Sequence, residues 1–200
     1  EFLASRTSDA VHHETIKERS SQHDCTIRLH RHRHLAQIFL FRTPGVLFRL
    51  GDIEQRSSDR MILVIPPGVP HGFQFSEDVI GDVVSVRLGD LPDQVRASFA
   101  PFQPETDPVF PAGETANFEK VETLVDQVSD VFHGVTRDRG ALLHLTLQLI
   151  TTYLASSLRD RIAHLDRAAM FRVGRHDQHA ERFCTLLEDN FRNGWSVNDY

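Results

Sequence analysis

Several residue types and patterns that would place this chain in a protein class are scarce or missing. Cysteine occurs only twice in 200 residues, at Cys25 and Cys184. Two distant cysteines form no disulfide framework, and such usage is typical of a reducing cytoplasm. No run of about 18 apolar residues is present, which argues against a membrane-spanning helix. The first residues, EFLASRTSDA, also lack the pattern of a signal peptide. We therefore expect a cytoplasmic protein with no membrane contact.

Positive charge and common catalytic motifs are also in short supply. The chain has 22 Lys and Arg against 28 Asp and Glu, for a net charge of −6 with histidine neutral. Phosphate binding needs clustered positive charge, so these residues by themselves make a poor nucleic-acid surface. The sequence contains no GxGxxG, P-loop, GxSxG or HExxH motif. We expect this chain not to be an enzyme.

Short apolar runs dominate residues 25–88, and turn signals such as TPG at 43–45 and PPG at 66–68 separate them. Many short strands at close spacing are typical of an antiparallel sandwich or small barrel. The predicted strands are CTIRL, AQIFLFR, GVLFRL, MILVI, HGFQF and VVSVRL.

The second half of the chain has a helical pattern. Prolines scattered through 89–116 predict a connecting segment with a short helix around 92–99. Apolar residues then recur at helical spacing from Phe118 to Phe132, and again over about 140–165. From N- to C-terminus we divide the chain into a polar arm (1–24), a strand-rich domain (25–116), two helices (117–165), a polar linker (166–176) and a final helical segment (177–200).

The predicted helix over 140–165 is apolar on two faces, so we expect it to pack on its own sheet with one face and on something else with the other. A second copy of the chain would serve as that partner. One face carries Leu142, Leu145, Leu149, Thr152 and Tyr153. We assign the dimer interface to the other face, which carries Leu143, Leu147, Ile150 and Leu154.

Histidine is abundant, and three of its 12 copies carry the candidate chemistry. His30 and His32 are two apart, so a strand would point them the same way. The turn PPGVP leads directly into His71 on a distant strand. Imidazoles from separate strands can converge on a divalent metal such as Zn, Ni or Fe. Gln37 in place of an acidic ligand weakens that interpretation. A polar pocket without metal, or histidines with no site at all, remain alternatives.

Strand alternation also outlines a candidate pocket for a small effector. If Gln37 and His71 point inward, Phe39 and Phe73 do so too, and a few polar groups among aromatic rings suit a small aromatic molecule. Arg28 shares the His30 face by alternation, and an inward arginine would hold a carboxylate. The alternative is that the neighbouring residues form the core face and leave Arg28 in water. The candidate effector site is Gln37, Phe39, His71, Phe73 and Arg28.

Two segments, HRHRHLAQIFLFRTPGVLFRL and MILVIPPGVPHGFQF, resemble the cupin domain of AraC-type bacterial transcription regulators. The tail HAERFCTLLEDNFRNGWSVNDY resembles the start of the helix-turn-helix domain in that family. HGFQF is similar to the subgroup that responds to 4-hydroxybenzoate. The resemblance runs from about residue 25 to the end. It implies an α+β fold, with an antiparallel cupin-like β-barrel or sandwich followed by a C-terminal pair of helices.

That resemblance also implies that different segments of the protein have different functions. The cupin domain binds a small effector, the helices form a homodimer, and a helix-turn-helix domain, of which 177–200 would be only the start, binds promoter DNA. The alternative function is a metal-dependent cupin enzyme, a dioxygenase or isomerase, that uses His30, His32 and His71. Gln37 stands where enzymatic cupins usually carry a metal-binding glutamate, which speaks against that alternative.

Overall fold

The computed structural model describes the backbone of residues 10–20 and 25–190, and the side chains of residues 10–18 and 25–164. It divides the chain into two compact units, residues 1–157 and 158–200. The first unit contains the strands. The strands are β1 (Val11–Thr15), β2 (Thr26–His30), β3 (Leu35–Phe41), β4 (Leu47–Leu50), β5 (Ile53–Arg56), β6 (Met61–Ile65), β7 (His71–Gln74), β8 (Gly81–Arg87) and β9 (Val109–Pro111). The α-helices are α1 (Ile16–Ser20), α2 (Asp93–Ala97), α3 (Phe118–His133) and α4 (Arg139–Asn190).

The described strands form two antiparallel sheets. One sheet has the order β1-β8-β3-β6-β9 and the other the order β2-β7-β4-β5. Apolar side chains from both sheets meet in one buried cluster, in which Phe39 and Leu63 of the first sheet pack with Phe48 and Phe73 of the second. The predicted fold class is confirmed: two facing antiparallel sheets, as in a cupin-like sandwich, are followed by helices. All six strands predicted from the sequence are present, as is the short helix around 92–99.

For the N-terminal arm, residues 1–24, the polar sequence predicts a loose segment or one short helix, and Ile16–Ser20 form such a helix, α1, in the described part. Residues Val11–Thr15 form the edge strand β1, which pairs with β8. Val11 and His13 are buried, and Ile16 of α1 enters the core. Only two residues of this strand are buried, and one of them is a histidine, so hydrophobic alternation gave no signal. Residues 1–9 and 21–24 lie outside the described part.

A charged cluster joins this edge of the sandwich to α3. The buried His13 donates from Nε2 to Oδ1 of Asp82 at 3.0 Å, and Arg42 donates to the other oxygen at 2.9 Å. Arg42 also bonds Glu122 of α3 at 2.7 Å. Burial by itself raises the pKa of Asp82, but the hydrogen bonds of His13 and Arg42 and the Arg42 charge outweigh it and hold the pKa below its usual value.

We expect this carboxylate to make the fold sensitive to acid. Because its pKa is lower in the folded state, its stabilising contribution is complete above about pH 4 and is lost as the pH falls through the lower folded-state value. Asp82→Asn should lower the unfolding free energy at neutral pH and flatten its decline in acid, as measured by urea unfolding across pH. Asp90→Asn, in an exposed pair with Arg87, should leave the curve unchanged. An Asp82→Asn curve parallel to wild type would contradict this prediction.

Helix α4 corrects two sequence predictions. The predicted linker, 166–176, is helical and continuous with the helix predicted from about 177. Polarity suggested a linker, but the segment has no proline and is rich in residues with good helix propensity. The four residues predicted as the dimer interface are buried within the single chain instead. Their exposed fractions are Leu143 2%, Leu147 0%, Ile150 0% and Leu154 0%.

The other face of α4 is the one that remains open. Leu145 is 60% exposed and Leu149 is 49% exposed. On the buried side, Thr151 donates to the Ser98 hydroxyl at 2.7 Å, just after α2. By length and composition alone, Arg139–His164 is long and apolar enough to cross a membrane, and half of its most apolar stretch is buried in the fold.

Candidate metal centre

Three imidazoles from separate parts of the second sheet come together at one end of the sandwich. His30 ends β2, His32 follows it in the connection to β3, and His71 begins β7. The ring centroids of His30 and His71 are 4.4 Å apart, those of His30 and His32 4.8 Å, and those of His32 and His71 5.6 Å. Their ligand nitrogens all lie within 4.8 Å of one another. The convergence predicted from the sequence is present. We call these residues the histidine triad.

A β-bulge in β2 turns His30 toward the other two rings. Ile27 pairs with Phe73 and His30 pairs with His71, so three residue steps on β2 face two on β7. The extra residue shifts the alternation, which allows Ile27 and His30 to face the same side. Ile27 is buried in the core, whereas Arg28 and Leu29 between them are exposed.

The bulge corrects the prediction for Arg28. Simple alternation gave Arg28 the same face as His30, pointing inward as a carboxylate-binding group. The alternative, with Arg28 in water, is the one the structure shows, because the bulge interrupts the period of two between them. Arg28 still contributes to the site through its backbone, since its carbonyl oxygen contacts the His30 ring.

Gly72 makes room for the bulge. A Cβ atom on Gly72 would lie 3.1 Å from the Ile27 carbonyl oxygen and 3.1 Å from the Leu29 nitrogen. These are backbone atoms of the bulged strand, so they cannot move away as a flexible side-chain end can. The glycine that follows His71 thus lets the strand carrying His30 approach closely.

A proline turn positions His71, the third member of the triad. In Pro66–Val69, proline occupies the second position and Gly68 the third with φ of 87°, the pattern of a type II turn. The Gly68 amide donates to the His32 carbonyl oxygen at 2.7 Å. The turn that precedes His71 is therefore tied directly to the backbone of His32.

Backbone carbonyls orient two of the three rings. His30 Nδ1 lies 2.8 Å from the Arg28 oxygen, and His71 Nδ1 lies 2.9 Å from the Val69 oxygen. A carbonyl oxygen can only accept, so each Nδ1 carries the hydrogen and each Nε2 keeps its lone pair. Metal-binding histidines in proteins use this arrangement, with the second ring nitrogen donating to a carbonyl or carboxylate.

The spacing of the nitrogens also suits a shared ion. His30 Nε2 and His32 Nε2 are 3.1 Å apart. Two imidazole nitrogens bound to one ion at 2.0–2.1 Å lie about 3.0–3.4 Å apart. His71 is buried, whereas His30 and His32 are half-buried, so the triad lies at the boundary between core and solvent. The donor type, the orientation of two rings and the His30–His32 distance therefore fit a divalent metal, and a bound ion would draw the three nitrogens, which lie within 4.8 Å of one another, closer together.

The other predicted effector residues lie in the interior of the sandwich. The Phe39 ring lies 6.2 Å from His71 and 4.6 Å from Phe73. Gln37, on the same face of β3 as Phe39, is buried and donates to the Ser85 hydroxyl at 2.9 Å. Its Oε1 has no hydrogen-bond partner among the described residues. Gln37 thus presents a buried acceptor that a ligand hydroxyl or a water would satisfy.

Sequence reasoning missed the residues that support the triad. The carbonyls of Arg28 and Val69, which contact the rings of His30 and His71, carry no side-chain signal in the sequence, and neither does Ser85, which accepts a hydrogen bond from Gln37. Gly72 was visible in HGFQF, but its role depends on a bulge that no sequence pattern indicated. His34, beside the triad in the sequence, is exposed and stands apart from the cluster.

Comparisons with known proteins give matches of low sequence identity to solved structures. No family model matches the chain, and no curated protein sequence matches it significantly. Among solved structures, a mutant of Bacillus subtilis oxalate decarboxylase matches at 13% identity over 62% of this chain and 34% of that one, with a TM-score of 0.28. A cupin protein from Bacteroides fragilis matches at 18% identity over 44% and 85%, with a TM-score of 0.26.

A third match is a protein from Thermus thermophilus, at 23% identity over 31% of this chain and 61% of that one, with a TM-score of 0.28. This chain thus spans less than two thirds of the Thermus protein and about a third of the decarboxylase. Distant structural neighbours of the chain therefore include cupins, and the role of the histidine triad has to be argued from its own geometry.

Proposed function

We propose that this chain is the effector-sensing domain of an AraC-type transcription regulator, and that its histidine triad holds a divalent metal ion beside a small carboxylic-acid effector. The observation that carries the metal proposal is the orientation of His30 and His71. Backbone carbonyls contact the Nδ1 atom of both rings, which leaves each Nε2 as the ligand atom, and one ligand nitrogen from each triad residue lies within 4.8 Å of the others. A metal at this point supplies a positive charge that attracts an anionic ligand.

The charge of the site favours an anion as that ligand. All three triad residues are neutral imidazoles when they bind metal, and the cluster contains no carboxylate among the described residues. Gln37 is neutral as well. The two positive charges of a bound ion would therefore be uncompensated by the triad, and an aromatic acid would balance one of them.

A metal-dependent enzyme, a dioxygenase or isomerase, is the second candidate. Three protein ligands with remaining open positions are the pattern of catalytic rather than structural zinc sites. The sensing role is favoured by the AraC-like sequence motifs and by Gln37, which offers no proton for general acid or base chemistry.

One preparation of purified protein is enough to distinguish effector sensing from metal-dependent catalysis. After chelation, the protein is titrated with Zn²⁺, Ni²⁺ and Mn²⁺ by calorimetry, and 4-hydroxybenzoate is then added to metal-free and metal-loaded samples. We expect one ion per chain, and acid binding at least tenfold tighter with metal. Recovery of the acid unchanged supports sensing, whereas oxygen uptake or conversion of the acid supports the enzyme. No stoichiometric metal binding would overturn the proposal.

We propose that a homodimer would form through the face of α4 that carries Leu145 and Leu149, since that face is exposed and the face assigned from the sequence is buried within the chain. A second copy would cover those leucines and remove them from water.

A further inference from the structure

A cavity opens toward the β5 edge of the second sheet and borders the histidine triad, since its lining includes Val69, whose carbonyl orients His71, and Leu50, which pairs with His71. Its volume is about 330 Å³, and none of the triad residues lines it. Phe48 and Leu50 of β4 form one wall, and Ile65 and Val109 of the first sheet form the other. The segment 103–108 closes the top. We call this cavity the edge cleft.

Strand β5 presents an apolar residue at the mouth of the edge cleft. Ile53 and Gln55 line the cleft, whereas Glu54 and Arg56, which alternate with them, point to the other face. Ile53 is 63% exposed, although it borders an apolar interior. A ligand in the cleft would therefore cover apolar surface that the fold alone leaves in water.

The charged groups at the edge cleft are acidic. Glu105 and Asp107 are the ionisable residues among those that line it. The arginines of β4 and β5 bond backbone carbonyls, since Arg49 donates to the Gly51 oxygen and Arg56 to the Gly45 oxygen. Two carboxylates beside an apolar cavity attract positive charge and repel an acid.

We propose that the edge cleft is a binding site for a small amphipathic amine, with one ring or a short alkyl chain in the apolar interior and its ammonium group at Glu105 and Asp107. The cavity is at the small end of the range for ligand sites, about 300–1,000 Å³, which suits a single-ring molecule. The site does not depend on metal or on the effector proposed for the triad, and its charge excludes the aromatic acid assigned there.

The test uses two probes of similar shape and opposite charge on chelated, metal-free protein. 2-Phenylethylamine is compared with 3-phenylpropanoate by calorimetry and by ligand-observed NMR. We expect the amine to bind at least tenfold tighter than the acid. Because the triad is empty of metal in this experiment, the result is separate from the outcome of the metal titration.

Matched variants test whether the amine binds in the edge cleft. Gln55→Trp, which fills the mouth, should weaken amine binding at least tenfold, whereas Glu54→Trp on the opposite face of β5 should leave it unchanged. Glu105→Gln with Asp107→Asn should bring the two probes to similar affinities. The asparagine can still accept the hydrogen bond that Asp107 receives from the Val109 amide at 3.0 Å. Equal binding of both probes to wild type, no amine binding, or full binding by Gln55→Trp would overturn the proposal.

Discussion

His71→Ala is expected to weaken Zn²⁺ binding at least 100-fold, or about 2.7 kcal/mol of binding free energy. His71 is the buried member of the triad and begins β7, whereas His30 ends β2 and His32 lies in the connection that follows. Without it, the two remaining imidazoles are neighbours in sequence with no third protein nitrogen to close the site. The change is measured by competition with a fluorescent zinc chelator at neutral pH, where the variant should retain the circular dichroism of the wild type.

Two other histidines serve as controls for that experiment. His34 is exposed and close in sequence, so His34→Ala should bind Zn²⁺ as wild type does. His13 is as buried as His71 but belongs to the Asp82 cluster. His13→Ala should therefore lower stability and leave the metal affinity of the folded protein unchanged. Zinc affinity within threefold of wild type in His71→Ala would show that the triad is not the metal site.

Only part of the triad's geometry follows from the sequence. Strand alternation was the argument for placing His30 beside His32, but His32 lies in the connection after β2 rather than on a strand, and His71 meets His30 through the pairing of β2 with β7, which no local signal indicated. The same reasoning failed at Arg28, two residues before His30. A bulge is decided by the pairing of β2 with β7, and one extra residue reverses every orientation beyond it.

The helices show a second limit of prediction from the sequence. The spacing of apolar residues in α4 correctly predicted two apolar faces. Because both faces show the same spacing, the pattern does not indicate which one is buried. Leu147 and Leu145 are both leucines on a strongly apolar helix, and only the tertiary packing separates 0% from 60% exposure. Likewise, His13 can be buried because it donates a hydrogen bond to Asp82. The two residues are 69 positions apart in the sequence but adjacent in space. Such a polar pair gives no hydrophobic signal.

Gly72→Ala should disturb the triad without removing any of its ligands. The added methyl group would press on backbone atoms of Ile27 and Leu29 at 3.1–3.2 Å, so the bulged strand must shift away from β7. That shift moves both His30 and the Arg28 carbonyl that orients it. We expect Zn²⁺ affinity to fall about 10- to 100-fold, the size of effect typical of supporting groups around a metal. Overpacking should also lower the unfolding free energy by about 1–3 kcal/mol.

Gly89→Ala is the matched control, since a Cβ at Gly89 would meet no heavy atom within 4 Å and its φ is not positive. It should leave zinc affinity and stability as in wild type. The measurement pairs urea unfolding with zinc competition in the absence of urea, which separates loss of fold from loss of geometry. Suppose that Gly72→Ala lowers the unfolding free energy but keeps the zinc affinity of wild type. The position of His30 relative to His32 and His71 would then not depend on the close approach of β2 and β7. Ring orientation by the Arg28 carbonyl would then not be what holds the triad together.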